Sequence, residues 1–273
     1  MYSGNKTPFA PCNLLFTLWS SFKNLAGYEQ QDAHEFLVHL LGRLHEGVGG
    51  RPFGCDCVIH RTFSGVLQSS VTCLGCGECS PVFDPFMDIC LDIYETSPHA
   101  MMECTLEGCL KRFCSKEVLP GGSYVCQACN STHREAHKQL TIKRPPLTLC
   151  IQLKRFGGNG NNDPIIGSPF VNSTNQQDSS SGKLLHHVSF PDWLDISPYC
   201  SSSSLTMPSA VDETHATDQQ ITKKEIMYKL LAVIEHVGEV ESSGHYVAYI
   251  LHDDDWFRCD DAMVTLVSRH QVM

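Results

Sequence analysis

The sequence predicts an α+β domain, and three stretches carry that prediction: an amphipathic helix near the start, two Cys-x2-Cys knuckles in the middle, and an apolar hairpin near the end. A chain of 273 residues can bury a substantial core as one large domain or two modest ones. Its 42% hydrophobic and 18% charged residues are ordinary for a globular protein. The net charge of −10 disfavours a nucleic-acid surface and suits a basic partner. No apolar run approaches the ~20 residues of a membrane span. The start, Met-Tyr-Ser-Gly-Asn-Lys, lacks the apolar core of a signal peptide. Fifteen cysteines without an export signal are expected in a reducing compartment, where cysteine pairs mean zinc more often than disulfides.

Residues 7–25 suggest a short helix that packs on the next one. In 28–45, Phe36, Leu37, Leu40, Leu41 and Leu44 recur at helical spacing, while Asp32, Glu35, His39 and Arg43 share another face. Asp32 and Glu35 also suit the positive end of the helix dipole. That polar face is either a solvated surface or an acidic surface for a basic substrate. Residues 62–72 read as strand with a break at Gly65. Cys73-Leu-Gly-Cys76-Gly is a zinc knuckle in outline, and Cys126-Gln-Ala-Cys129 supplies its partner. Four thiolates in two such pairs fit a closed tetrahedral zinc site, against a degenerate finger that binds nothing. Cys55, Cys57 and His60, with His45 from the helix end, form a second set. It is either a structural metal site or buried thiols beside a surface histidine. Residues 84–94 read as a strand, 101–114 as a helix, and 140–144 as a strand ended by prolines. A buried strand is expected over 147–153. Residues 157–183 and 200–222 are rich in polar and small residues and read as flexible insertions around a compact segment at 188–199. Residues 228–236 form a strand that leads into the hairpin.

In that hairpin, Ser243–Leu251 and Trp256–Asp261 flank the polar loop 252–255. Leu251 then faces Trp256, and Asp260 lies diagonally across from His245 on the same face. Asp261 faces Tyr246 and points to the other side. A histidine beside a carboxylate resembles the base and orienter of a nucleophilic triad.

Four blocks taken in order carry a resemblance. They are Gln30-Gln-Asp-Ala-His-Glu-Phe-Leu37, Leu147–Phe156, Tyr228–His236, and Gly244-His-Tyr-Val-Ala-Tyr249 with Trp256-Phe-Arg-Cys-Asp-Asp261. Together they resemble the ubiquitin-specific protease family. The Cys-Asp-Cys-Val-Ile-His and Phe-Ser-Gly-Val-Leu-Gln-Ser-Ser segments are most similar to the subgroup serving the SAGA co-activator, whose members remove ubiquitin from histone in the nucleus. The resemblance implies a papain-like fold of fingers, palm and partial thumb. It implies that 1–273 is a single catalytic domain and 73–129 its zinc-binding fingers insertion. By position, His245 matches the general base, Asp260 its orienter and Asp261 a supporting residue. Asp32 and Glu35 match acidic positions that contact the basic tail of ubiquitin. Cys73, Cys76, Cys126 and Cys129 match the structural zinc ligands. Implied partners are ubiquitin, a ubiquitinated protein and SAGA-like subunits, with no direct nucleic acid and no membrane. The implied location is nuclear; without the resemblance the expected location is cytoplasmic.

The family's Gly-x-Thr-Cys box has no counterpart here. Cys12 lies only 18 residues ahead of Gln30 and lacks the glycine and threonine. The apolar-aromatic last strand of the family is not found either, so both ends read as cut. The expected function is therefore that of a thiol-dependent deubiquitinase domain whose nucleophile this chain does not carry. The alternatives are an inactive ubiquitin-binding scaffold of a chromatin complex and a plain zinc-ribbon module.

Overall fold

The computed structural model describes residues 10–27, 30–51, 55–93, 104–132, 134–156, 183–201, 225–240 and 243–273. Helix α1 (Cys12–Ser21) and a 3-10 turn at Lys23–Leu25 precede α2 (Ala33–Gly47). Phe22 stacks on His39 of α2 with ring centroids 4.0 Å apart. Asp32 is the N-cap of α2, its Oδ1 accepting from the backbone N–H groups of His34 and Glu35 at 2.8 and 2.9 Å. Those two donors have no partner inside the helix, which is why a carboxylate stabilises this end. The expected apolar stripe buries Leu41 fully, leaves Phe36, Leu37 and Leu40 half-buried and leaves Leu44 exposed.

Helix α3 (Val58–Phe63) then leads into β1 (Gly65–Cys73), so residues 62 and 63 are helical rather than the start of a strand. Gly65 opens β1 because a Cβ there would lie 2.3 Å from the Phe86 ring and 2.8 Å from the Arg144 carbonyl. The stretch expected as one strand over 84–94 divides between the end of β2 (Cys79–Phe86) and β3 (Ile89–Asp92). After the short β4 (Cys104–Thr105) comes α4 (Leu106–Phe113), capped by Thr105 Oγ1 accepting from Gly108 N at 3.0 Å. The helix thus begins at the Thr105 cap, not at 101, and residues 94–103 lie outside the described residues. Strand β5 (Glu117–Leu119) and β6 (Ala136–Arg144) complete an antiparallel sheet in the order β2-β1-β6-β5.

Strand β7 (Ile151–Lys154) runs parallel to β3. It is shorter than the expected 147–153, and Leu147 is 79% exposed instead of buried. Residues 157–182 and 202–224 lie outside the described residues, so the two predicted insertions are not described except at their edges. Lys183 belongs to the fold: its Nζ donates to the Gly238 carbonyl at 3.0 Å and also to that of His236. At the other edge Cys200 and Ser201 are buried. Between them lie β8 (Val188–Ser189), which pairs with β4, and β9 (Trp193–Asp195), followed by a 3-10 turn at Ser197–Tyr199. The strand expected over 228–236 is two strands, β10 (Met227–Lys229), paired with β9, and β11 (Ala232–Val240).

The chain finishes in an antiparallel sheet β11-β12-β13-β14, with β12 at Ser243–His252, β13 at Asp255–Asp260 and β14 at Met263–Val267. The last of these follows the Asp-Asp turn, so the end of the sheet carries a strand that the sequence does not announce. Val247 and Trp256 of this sheet are buried, while a larger hydrophobic cluster lies elsewhere. Ile89, Leu91, Leu110, Ile142, Val188 and Ile196 pack between the β3–β7 pair, α4 and the 188–200 segment. Among the described residues, no helix is long and apolar enough to cross a membrane.

Candidate functional site

Strands β12 and β13 pair as the sequence register requires, with Leu251 opposite Trp256 and Ala248 opposite Cys259. The connecting loop is tighter than four residues, because His252 and Asp255 also pair and only Asp253 and Asp254 turn the chain. Asp253 adopts φ 55°, a left-handed conformation that aspartate tolerates better than most residues. This register brings His245 Nε2 to 2.6 Å from Asp260 Oδ1. Arg258, two residues back on the same strand face, reaches Asp260 Oδ2 at 2.8 Å. The hydrogen bond from His245, and then Arg258, hold the Asp260 carboxyl below its usual range, so it stays an anion facing the imidazole.

Asp261 departs from the expected orientation. It occupies the turn between β13 and β14 at φ 50°, and its carboxylate lies within 4.8 Å of the donor atoms of His245 and Asp260. The turn breaks the strand alternation that would have sent it to the other side.

Next to His245, the Tyr246 hydroxyl donates to Asp32 Oδ2 at 3.2 Å. The same carboxylate that caps α2 therefore anchors the hairpin. Glu35 is exposed and pairs with His39 at 3.5 Å. The double use of Asp32 was missed in the sequence, where only its charge at the helix start was legible. Asp32→Ala is expected to cost about 2 kcal/mol, roughly one for the lost cap and the rest for the hydrogen bond to a charged group. Urea denaturation of Asp32→Ala beside wild type checks this, and equal midpoints would contradict it. Cys12 is the first residue of α1 and is exposed.

The four knuckle cysteines converge. Cys73 and Cys129 Sγ lie 3.9 Å apart, and Cys76 and Cys126 Sγ 3.5 Å. Tetrahedral zinc with Zn–S of about 2.3 Å spaces its sulfurs by about 3.8 Å, whereas a disulfide requires about 2.0 Å. The sulfur set thus fits zinc and not a crosslink. The backbone N–H groups of Cys76 and Gly75 hold the Cys73 thiol down at about 7. Cys76 is favoured as thiolate by the Glu78 backbone, yet proton sharing with Cys126 and its burial push it up to about 12. A cation between the sulfurs would let all four ionise together. Gly77, at φ 77°, turns the first knuckle so that its N–H reaches the Cys73 carbonyl at 2.9 Å.

The second set also converges. His45 Nδ1 and His60 Nδ1 each lie 3.3 Å from Cys57 Sγ, and Cys55 Sγ lies 3.9 Å from His45 Nδ1. Sulfur–nitrogen edges around zinc are about 3.5 Å, so this donor set fits as well. Gly50 lets the chain pass the site, since a Cβ there would lie 2.0 Å from the His45 ring. Burial, and then the neighbouring His45, lower His60, keeping it neutral as a ligand must be.

Residues 1–273 match the family model described as ubiquitin carboxyl-terminal hydrolase. The chain is 35% identical over 301 residues to ubiquitin C-terminal hydrolase 22 of Arabidopsis thaliana, covering 100% of this chain and 51% of that protein. It is 36% identical over 300 residues to ubiquitin carboxyl-terminal hydrolase 22 of Mus musculus, covering 53% of it. The chain therefore spans about half the length of these relatives. Among solved structures it is similar to the SAGA Ubp8/Sgf11/Sus1/Sgf73 DUB module bound to ubiquitin aldehyde. The TM-score is 0.73 at 34% identity, over 96% of this chain and 50% of the chain it matches.

Proposed function

Because the chain belongs to the ubiquitin carboxyl-terminal hydrolase family, we propose that it supplies the base, its orienter and the ubiquitin-facing surface of a thiol-dependent deubiquitinase. One observation carries the reading: the 2.6 Å contact commits His245 Nε2 to Asp260 and leaves Nδ1 to face a thiol. In the complete reaction His245 Nδ1 takes the thiol proton, and the thiolate attacks the carbonyl of the last glycine of ubiquitin. The leaving lysine amine collects the proton from His245. Water, deprotonated in turn by His245, then releases ubiquitin from the thioester. Asp260 stays ionised throughout and stabilises the imidazolium. Arg258 holds its second oxygen, which fixes the carboxylate plane. The acidic positions Asp32 and Glu35 face the basic tail of ubiquitin. Zinc at the four knuckle cysteines, and at His45, Cys55, Cys57 and His60, acts structurally and supplies no catalytic water.

Likeness to the SAGA module bound to ubiquitin aldehyde supports ubiquitin and SAGA-like subunits as partners, and the resemblance to that subgroup makes a nuclear setting and ubiquitinated histone the expected context. No segment of the sequence resembles the family's cysteine box, so this polypeptide alone is expected to hydrolyse little or no ubiquitin conjugate.

A ubiquitin probe bearing a C-terminal electrophile tests the proposal. The expected result is reversible ubiquitin binding without covalent capture. Capture that disappears in Cys12→Ser overturns the absence of a nucleophile. Ubiquitin binding that persists, while an added cysteine-box segment restores no capture, favours the scaffold reading. No binding at millimolar ubiquitin overturns both.

A further inference from the structure

A third group of ligand-type side chains lies away from the hairpin and from both cysteine clusters. His34 comes from the first turn of α2, Asp88 from the loop before β3, and Cys90 from β3 itself. His34 Nε2 is 2.9 Å from Asp88 Oδ2. Cys90 Sγ is 3.3 Å from that same oxygen and 4.0 Å from that same nitrogen. Gln152 Oε1, on the neighbouring strand β7, lies 3.0 Å from the sulfur.

The arrangement contains a thiol, an imidazole and a carboxylate, but it is not a catalytic relay. A relay uses the two nitrogens of the ring for two different partners. Here one nitrogen, one oxygen and one sulfur turn toward a single point. Around tetrahedral zinc, an N–O edge is about 3.4 Å and an edge to sulfur about 3.5 Å. The observed 2.9, 3.3 and 4.0 Å lie on both sides of those values, and an ion would replace the His34–Asp88 hydrogen bond with two metal contacts. The single S–H of Cys90 also faces two oxygen acceptors and can serve only one of them. A cation satisfies both oxygens together with the thiolate. His34 and Asp88 side chains remain 24% and 23% exposed, so an ion can enter from solvent.

We propose that His34, Asp88 and Cys90 form a third metal site for a borderline divalent cation such as zinc, with the Gln152 carbonyl or a water as fourth ligand. Mixed N, O and S donors of this kind select zinc over calcium or magnesium, which take oxygen. Bound there, the ion pins the first turn of α2 to the β3–β7 pair. His34 is two residues along the chain from Asp32, the cap that receives the Tyr246 hydroxyl, so the pin holds the same turn of α2 that anchors the hairpin.

Wild type, Cys90→Ser and Asp88→Asn, each loaded with zinc and dialysed side by side against one zinc buffer, decide the matter by metal emission counts. Wild type is expected to hold one zinc per chain more than either variant. The comparison is a difference, so it does not depend on how fully the two cysteine clusters are occupied, nor on the deubiquitinase reading. Cobalt(II) loading gives a second readout: both variants should lack part of the thiolate-to-metal charge-transfer absorption of wild type. Asp88→Asn keeps the side-chain shape and carries the comparison should Cys90→Ser not fold. Equal zinc counts and equal cobalt spectra among folded proteins overturn the site and leave a hydrogen-bonded tie between α2 and β3.

Discussion

Cys126→Ser will destabilise the chain by several kcal/mol and make it less sensitive to chelators than wild type. Cys126 is 1% exposed, and its sulfur lies 3.5 Å from that of Cys76 in a cluster whose other pair, Cys73 and Cys129, is at 3.9 Å. Little apolar packing surrounds this tip; Leu74, Val82, Phe83 and Val125 are all exposed. With zinc bound as proposed, the ion would do what a core does elsewhere. Structural zinc contributes an apparent ~10 kcal/mol or more in isolated fingers at neutral pH, and that binding energy is folding energy. Serine removes a charged ligand and leaves three thiolates without a closed shell. The loss should spread along the sheet, because Cys73 ends β1 and pairs with Ala136 at the start of β6. Thermal melts with and without EDTA provide the measurement. Chelation should lower wild type by more than it lowers the variant, which keeps only the sites proposed at His45, Cys55, Cys57 and His60 and at His34, Asp88 and Cys90. A variant that melts with wild type would show that the finger stands without its ion.

Alkaline pH should weaken the fold through its buried thiols, with Cys114 the clearest case. Burial raises this thiol from 9.0 to about 12. A group whose pKa is raised on folding keeps its full contribution below the unfolded value and loses it as pH climbs through the folded value. The loss therefore begins near pH 9 and continues to about 12. Three pH units at about 1.4 kcal/mol each set a limit of about 4 kcal/mol for this one group. Cys109 moves in the same direction, again chiefly through burial. Urea unfolding of Cys114→Ala and wild type at pH 8 and pH 10.5 separates the effect. Wild type should lose about 2 kcal/mol more than the variant over that interval. Parallel losses would mean that the Cys114 thiol ionises as freely in the fold as outside it.

The hairpin was legible because two apolar runs flank a polar tetrapeptide and a period of two leaves little choice of register. The knuckles were legible from spacing alone. What sequence could not place were elements whose signal is short or whose partners are distant. Helix α3 has six residues, too few for a helical period to declare itself. Strand β14 is mostly exposed, so its residues show no inward-outward alternation. Leu147 sits in an apolar run that looks buried, yet the prolines ahead of it keep that part of the run out of the sheet. The turn at Asp261 re-aims a carboxylate that strand alternation sent the other way. His34 and Asp88 are 54 residues apart, and no local spacing announces that α2 and β3 will bring them together. Asp32 announced its charge but not its second partner, Tyr246.

That last hydrogen bond spans 214 residues of chain. The 214 residues between them have to be made before the tyrosine exists to meet the aspartate, and closing so large a loop comes after the local pairings on either side. On the ribosome, α2, the finger sheet and the β3–β7 pair can all form while the hairpin is still untranslated. The surface beside His245 thus takes shape after those elements. During synthesis the chain carries a capped helix waiting for its hairpin, and no nascent fragment short of Tyr246 can present the assembled site.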